Sequence, residues 1–362
     1  MKDTLDVARE CINEIDAKMA ELFSKRMEAV REVAQYKRER GISVLDSSRE
    51  AEVIRRNSEL VKDETLRSYY TKFIGDVMSL SRSYQTMLLE GARVAFSGTE
   101  GAFAHIMASR LFPTAKKIAY PSFEAAYEAV VSGECDCAVL PTENSYNGEV
   151  GQVSDLMFSG PLFVNSINEL AVTQDLVALP SATVGDIKQV VSHTQALGQC
   201  AEYIKSHGFL TKEYENTALA AKYVSELGDP TVAAIASAEA AEIFGLSVLE
   251  RNINSSRTNT TRFAVFSRAA HIPSPSDSDV HTILLFTVRN EAGALARAIQ
   301  IIGKHGFNMR ALRSRPMKEL LWQYYFYVEA EGNLNTDEGR AMMEELSCCC
   351  DRLRAVGSYT KI

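Results

Sequence analysis

Residues 1–90 contain no proline and only two glycines, Gly41 and Gly75. Proline removes a backbone donor and clashes with the preceding turn, so its absence over this length leaves helix as the natural reading. The stretch is rich in Glu, Lys, Arg, Leu and Met, which lose little freedom in a helix. Leu5, Ala8, Ile12, Ile15, Met19, Leu22, Val30 and Val33 recur at three- and four-residue spacing, the mark of one apolar helix face. This pattern predicts a helix over about residues 3–39, roughly 55 Å long at 1.5 Å per residue. Two shorter helices are expected at 46–61 and 64–89. They cannot cover the whole of so long a helix, so the segment reads as an intertwined helical dimer, with a coiled-coil oligomerisation arm as the blander alternative.

Two cations break the apolar face. Arg26 continues the series 12, 15, 19, 22, and Lys37 follows it by three turns on the same side. A charge directed at a core is costly unless it is paired, and no anion stands at a matching position in the helix. An anionic ligand between helices is the reading this favours. Arg9 lies 17 residues earlier, about 260° around the helix, and so faces another way. Asp46, Arg49 and Glu50 follow at i, i+3, i+4, where a helix cap and solvated charge explain them equally well. Ser81 and Gln85 form a further i, i+4 pair in the third helix.

From Ala92 to Arg268 the pattern changes. Short apolar runs (Val94–Phe96, Ala138–Leu140, Val190–Val191, Val232–Ile235) alternate with helical stretches at 101–112, 195–206 and 217–227. This is α/β patterning, for which a largely parallel sheet, two lobes and a cleft at the carboxyl ends of strands are expected. Four polar motifs fall at such ends: Gly98-Thr99-Glu100-Gly101, Pro141-Thr142-Glu143-Asn144-Ser145, Ser192-His193-Thr194-Gln195 and Asn259-Thr260-Thr261-Arg262-Phe263. Backbone amides of the first are placed to hold an anion. In the last, a hydroxyl beside an arginine suits proton donation next to a bound carboxylate. Taken singly, each motif is explained by turn chemistry or helix capping.

A polar linker, Pro273–Asp279, precedes a segment over 281–362 that reads strand, helix, strand, strand, helix, strand. That order is ferredoxin-like βαββαβ. Gly293-Ala294-Leu295 opens its first helix, and Arg313-Ser314-Arg315-Pro316 ends its second strand.

Composition narrows the function classes. The net charge of −8, with 46% hydrophobic and 24% charged residues, argues against a nucleic-acid or membrane-surface partner. No apolar run approaches the roughly 20 residues of a membrane span. The charged start, Met1-Lys2-Asp3-Thr4-Leu5-Asp6, lacks a signal-peptide core, so a cytoplasmic location is expected. Seven cysteines, an odd number, fit a reducing compartment. Cys135/Cys137 and the run Cys348-Cys349-Cys350 lack metal-ligand spacing, so no metal is expected.

In order, Arg9, Arg26, Lys37, Asp46, Arg49, Glu50, Ser81 and Gln85 resemble the all-helical chorismate mutase family across residues 1–90. The resemblance implies that Arg9 of a partner chain and Arg26 hold the carboxylates of chorismate. It places Lys37 and Gln85 at the ether oxygen and Glu50 at the ring hydroxyl, with Asp46 and Arg49 shaping the pocket beside Ser81. The four motifs of residues 92–268 resemble prephenate dehydratase. Thr261 is then the general acid, Arg262 a substrate-binding group, and Glu143, Asn144, Ser145, His193 and Gln195 line the cleft. Ala102 and Ala104 stand where many relatives carry hydroxyl residues.

The last segment resembles the ACT regulatory domain, in which Gly293, Ala294, Leu295, Arg313, Ser314, Arg315 and Pro316 correspond to elements that bind phenylalanine at a domain dimer interface. Relatives usually carry glutamate where this chain has Arg313, which reverses the charge next to the expected ligand. The whole is therefore similar to bifunctional chorismate mutase/prephenate dehydratases with an ACT domain. That family implies chorismate and prephenate as substrates, an amino-acid effector, no cofactor, and a homodimer or dimer of dimers. Two other readings stand beside it: a dehydratase that prefers arogenate, and a catalytically silent ligand sensor.

Overall fold

A computed structural model describes residues 4–40, 47–255, 258–317 and 323–360. The chain forms two compact units, Met1–Arg93 with Thr114–Lys116, and Val94–Pro113 with Lys117–Ile362.

The first unit is helical: α1 (Thr4–Arg40), α2 (Ser47–Ser58) and α3 (Glu64–Glu90). Asp63 starts α3 by accepting the amides of Thr65 and Leu66 at 2.8 and 3.1 Å, satisfying donors that have no partner inside the helix. Only the carboxyl half of α1 is covered: it lies against α3, where Arg26 reaches Met78 and Arg31 reaches Tyr84, and Val30 and Ala34 are buried. The expected stripe does not continue as written, because Val33 is 46% exposed. A turn of 3.6 residues carries the buried line through 26, 30, 34 and 37 instead. Leu5, Ile12, Ile15, Met19 and Leu22 are 44–63% exposed, an apolar row on a helix that its own chain leaves uncovered.

The second unit runs β1 (Arg93–Ser97), α4 (Phe103–Leu111), β2 (Lys116–Tyr120), α5 (Phe123–Val131), β3 (Cys137–Asn144), β4 (Gly148–Glu149), α6 (Gly151–Ser159) and β5 (Phe163–Ala171). It continues as β6 (Asp175–Ala178), β7 (Gln189–Ser192), α7 (Thr194–Gln199), α8 (Ala201–His207), β8 (Leu210–Glu213), α9 (Thr217–Leu227), β9 (Val232–Ala236), α10 (Ala238–Ile243), β10 (Ser247–Glu250) and β11 (Thr260–Ser267). The final elements are β12 (Val280–Thr287), α11 (Ala294–Lys304), β13 (Asn308–Pro316), β14 (Tyr324–Glu331), α12 (Asp337–Ser347) and β15 (Arg352–Thr360).

Two sheets build the α/β region, in orders β2-β1-β3-β11-β5 (β4 pairing with β3) and β10-β6-β9-β7-β8. The largely parallel sheet expected from the sequence is corrected to two mixed ones. β1 is parallel to β3, and β7 to β8 and β9. β11 is antiparallel to both β3 and β5, and β6 to both β9 and β10. The reason is topological: the chain leaves the first lobe on β5 and re-enters on β11, and these crossing strands pair with each other.

The remaining strands form a sheet of order β13-β14-β12-β15, antiparallel throughout, which with α11 and α12 gives βαββαβ. β12 is buried at every position, as expected of a strand covered on both faces. Leu284 and Phe286 join Ala298, Ile302, Met342 and Leu346 of α11 and α12. Ile283 and Leu285 join the first-lobe core around Tyr127, Leu140 and Phe266. Where β15 approaches β5, a Cβ on Gly357 would collide with the backbone carbonyl of Val164. Backbone cannot swing aside as a side chain can, so Gly357→Ala is expected to destabilise this unit by about 2 kcal/mol. Thermal unfolding measures this, and an unchanged midpoint would contradict the close packing.

Candidate active sites

In the helical unit Arg26 and Lys37 are half-buried on the face of α1 that carries Val30 and Ala34. The Arg26 guanidinium donates to Ser81 Oγ and, at 3.1 Å, to the Met78 thioether of α3. Ser81 passes its own hydrogen to the Val77 carbonyl at 2.7 Å. These partners are neutral, and burial pulls the Arg26 pKa below its ordinary value. One turn beyond Ser81, Gln85 is 9% exposed, and its Oε1 is buried without a hydrogen-bond partner among the described residues. Glu50 of α2 pairs with Arg82 of α3 at 2.6 Å, a partner that sequence reading missed because no fixed spacing links positions 50 and 82.

Not every expected residue joins this group. Arg49 is exposed and ion-paired to Glu52 at 2.8 Å. Arg9 is exposed, roughly 25 Å along α1 from Arg26. Asp46 lies outside the described residues.

The second unit holds a cavity of about 460 Å3 between the two lobes. Thr261 lies on its wall, with Asn144 beside it on the neighbouring strand β3. Asn144 Oδ1 accepts the amides of Tyr146 and Asn147 at 3.0 and 2.9 Å. That fixes the orientation of its side chain and turns Nδ2 toward Thr261, where it donates to Oγ1 at 2.9 Å. Thr261 Oγ1 is thus an acceptor in this bond, and its own hydrogen has no acceptor among the described residues.

Nδ2 also donates to Asn259 Oδ1 at 2.7 Å. Asn259 Nδ2 and Gln174 Nε2 in turn donate to Gln199 Oε1 at 3.2 and 3.4 Å. This amide chain was missed in the sequence because its members, 144, 174, 199 and 259, come from four separate segments. The one available hint was that Asn259 stands just ahead of Thr260-Thr261.

His193 and Gln195 reach the same cavity from the start of α7, where His193 Nδ1 accepts the Gln195 amide at 3.2 Å. Phe103, Phe123, Val172 and Phe263 give it apolar walls. Ala102, Phe103 and Ala104 bring the amino end of α4 to it, and Asn216 and Thr217 that of α9. α4 has no side-chain cap, so its first-turn amides are left for a ligand or water. The two glycine amides of the Gly98–Gly101 turn are held within the protein and are not presented as expected. Gly98 N–H bonds the Tyr120 carbonyl and Gly101 N–H bonds His105 Nδ1, at 2.9 and 3.1 Å. Both glycine amides of this turn are thus engaged, while the first-turn amides of α4 lack a side-chain cap.

Three residues expected in the cleft are placed elsewhere. Side chains alternate along a strand, so Thr261 and Phe263 face the cavity while Arg262 faces the opposite side of β11. There Arg262 makes a bidentate pair with Glu329 of β14 at 3.0 and 2.7 Å, and the Tyr359 hydroxyl donates to Glu329 at 2.6 Å. Burial works against both charges, but their mutual hydrogen bonds outweigh it, raising the Arg262 pKa and lowering that of Glu329. Glu143, opposite Arg262 in register, faces the same way and pairs with Arg313 at 2.6 Å. Ser145 locks the turn instead of lining the cleft, accepting the Thr260 amide and donating to the Thr258 carbonyl, each at 2.9 Å.

In the C-terminal sheet, Gly293 adopts a φ of +82° immediately before α11, Ala294 is buried, and Leu295 packs at the edge of the α11/α12 core. Alternation along β13 turns Arg313 and Arg315 toward the dehydratase-like lobe, whereas Ser314 and Pro316 are exposed. Arg315 reaches Asp155 at 3.0 Å.

Family models agree with the division of the chain: chorismate mutase type II matches residues 8–86, and prephenate dehydratase matches residues 94–271. The bifunctional chorismate mutase/prephenate dehydratase of Enterobacter agglomerans is 31% identical over 97% of this chain and 94% of its own length. Among solved structures, GqqA, described as a novel type of quorum-quenching acylase, matches with a TM-score of 0.69 and 30% identity over 75% of this chain and 98% of its own. Prephenate dehydratase from Arthrobacter aurescens, solved in complex with L-Phe, matches with a TM-score of 0.68 and 26% identity over 75% of this chain and 90% of its own. With both family models in sequence order and near full-length similarity to a fused enzyme, the chain belongs to the bifunctional chorismate mutase/prephenate dehydratase family.

Proposed function

We propose that the helical unit rearranges chorismate to prephenate and that the Thr261 cavity converts prephenate to phenylpyruvate, two consecutive steps of phenylalanine biosynthesis. The first reaction forms a carbon–carbon bond as an ether bond breaks and needs no proton transfer. Its catalyst has to hold a compact dianion and stabilise charge on the ether oxygen. Arg26 supports this role, being a desolvated cation held by neutral partners. Gln85, with its unpartnered amide oxygen, and Lys37 would act at the ether, and Glu50 at the ring hydroxyl. Arg9 would come from a second chain, since the exposed row Leu5–Leu22 calls for a homodimer.

In the second reaction the bond from ring to carboxylate breaks, carbon dioxide leaves, and its electron pair enters the ring. The ring hydroxyl departs with a proton as water. Thr261 donates that proton, and the Asn144 amide stabilises the oxygen left behind. This single contact, which leaves the Thr261 hydrogen free in an apolar cavity, carries the assignment. Apolar walls favour loss of a charged carboxylate as neutral gas. The amides of α4, with His193 and Gln195, would hold the side-chain carboxylate. Glu143, Ser145 and Arg262 act from behind the site.

The C-terminal βαββαβ unit is read as an ACT domain that takes phenylalanine as effector at Gly293–Leu295 and the 313–316 strand. Purified protein given chorismate is expected to release prephenate and then phenylpyruvate, and phenylalanine is expected to slow the second step. Neither product appearing would overturn the enzyme reading in favour of a sensor. Faster turnover of arogenate, supplied in parallel, would make phenylalanine the direct product.

A further inference from the structure

The hairpin formed by β3 and β4 carries Asn144, Asn147, Gly148 and Glu149 to the wall of the Thr261 cavity. Its outer side is gripped by β13. Arg313 donates to Glu143 Oε1 at 2.6 Å, while Arg262 lies 3.5 Å from the other oxygen of the same carboxylate. The Arg313 guanidinium also sits 5.3 Å from the centre of the Tyr327 ring. Two residues on, Arg315 lies 3.7 Å from Glu149, the partner of Glu143 across the hairpin. It is anchored by two contacts to Asp155, at 3.0 and 3.1 Å, which the Tyr325 hydroxyl also joins at 3.0 Å. Gly151 leaves room for this, since a Cβ there would meet the Arg315 guanidinium.

Resting on the dehydratase reading above, we infer that Arg313 is a positioning residue of the dehydratase. By pinning Glu143, it fixes the end of β3 at which Asn144 holds Thr261 Oγ1. Glu143 and Asn144 are adjacent, and in register they face Arg262 and Thr261. A carboxylate held between two guanidiniums therefore sets the height and twist of the strand where the catalytic contact is made. Glu143 is 28% and Arg313 23% exposed at the side chain, so the pair is shielded enough to hold a geometry. Arg315 secures the other strand of the hairpin in the same way. The charge at position 313 thus serves contact between the C-terminal sheet and the active site of the same chain.

The test uses the full-length protein, whose mutase, carried by the other compact unit, is an internal control. Arg313→Met keeps the bulk of the stem but removes the ion pair. It is expected to lower dehydratase kcat about tenfold, because small displacements of a catalytic group are costly. KM for prephenate and mutase activity should stay within about twofold. Arg313→Lys, which retains the charge, should recover most of the loss. In an Asn144→Ala background, Arg313→Met should add little, since residues acting through one another are not additive. A wild-type kcat in Arg313→Met would overturn the inference, as would an equal loss in the Asn144→Ala background or a loss of KM alone. Absence of dehydratase activity in the unaltered protein would instead remove the reading on which the inference rests.

Discussion

Thr261→Val lowers dehydratase kcat by about a thousandfold, within the range for loss of a positioned general acid, while chorismate mutase activity is unchanged. Valine matches threonine in shape, so the cavity stays filled and KM for prephenate moves little. What disappears is the one hydroxyl that accepts from Asn144 Nδ2 at 2.9 Å and still has a hydrogen to give. The Asn144 amide keeps Asn259 Oδ1 at 2.7 Å as a partner, so the fold loses little. Thr261→Ser restores the hydroxyl and should recover a substantial share of the rate. Steady-state assay of both reactions on one preparation checks the claim. A valine variant within tenfold of the unaltered protein would move the proton donor elsewhere, and His193 would become the next candidate.

The pattern of successes and failures in the sequence follows the range over which each signal acts. The helices of the first unit are legible because propensity and period are local. So are Ser81 and Gln85 as a pair on one turn, although their burial depends on α1 packing against α3. Thr261 is legible because its neighbours in sequence, Asn259 to Phe263, form one strand end. The orientation of Arg262 is harder to read. Alternation alone says that it opposes Thr261, but only the docking of β14 behind β11 shows that Glu329 is waiting there. Glu143 misleads for the same reason, standing one residue from Asn144 and on the other face. The amide chain through Gln174 and Gln199 is not readable at all, since lobe closure brings together residues that no spacing relates. The mixed sheets trace to the same cause: strands that cross between lobes must return, and a returning strand pairs antiparallel.

Arg26 gives the second large effect, and it is distinguished by its sign on stability. Arg26→Met is expected to reduce mutase kcat/KM by about a hundredfold or more, as when a preorganised donor to developing charge is removed. Dehydratase activity on supplied prephenate should remain. A residue kept for packing would lose stability when replaced. Arg26 differs because its guanidinium is partly withdrawn from water yet bonded to neutral groups, Ser81 Oγ and Met78 Sδ, and burial disfavours its charged form. Exchanging such a charge for an apolar side chain of similar length is often neutral or stabilising. The helical unit of Arg26→Met should therefore unfold at the same temperature as the unaltered protein or higher, while its catalysis fails. Chorismate should push the other way, raising the unfolding temperature of the unaltered protein and leaving that of the variant where it was, because only a state that binds ligand is stabilised by it. If Arg26→Met lost stability and kept its rate, the cation would belong to the architecture of the helices, and the anion site would have to be sought elsewhere on α1.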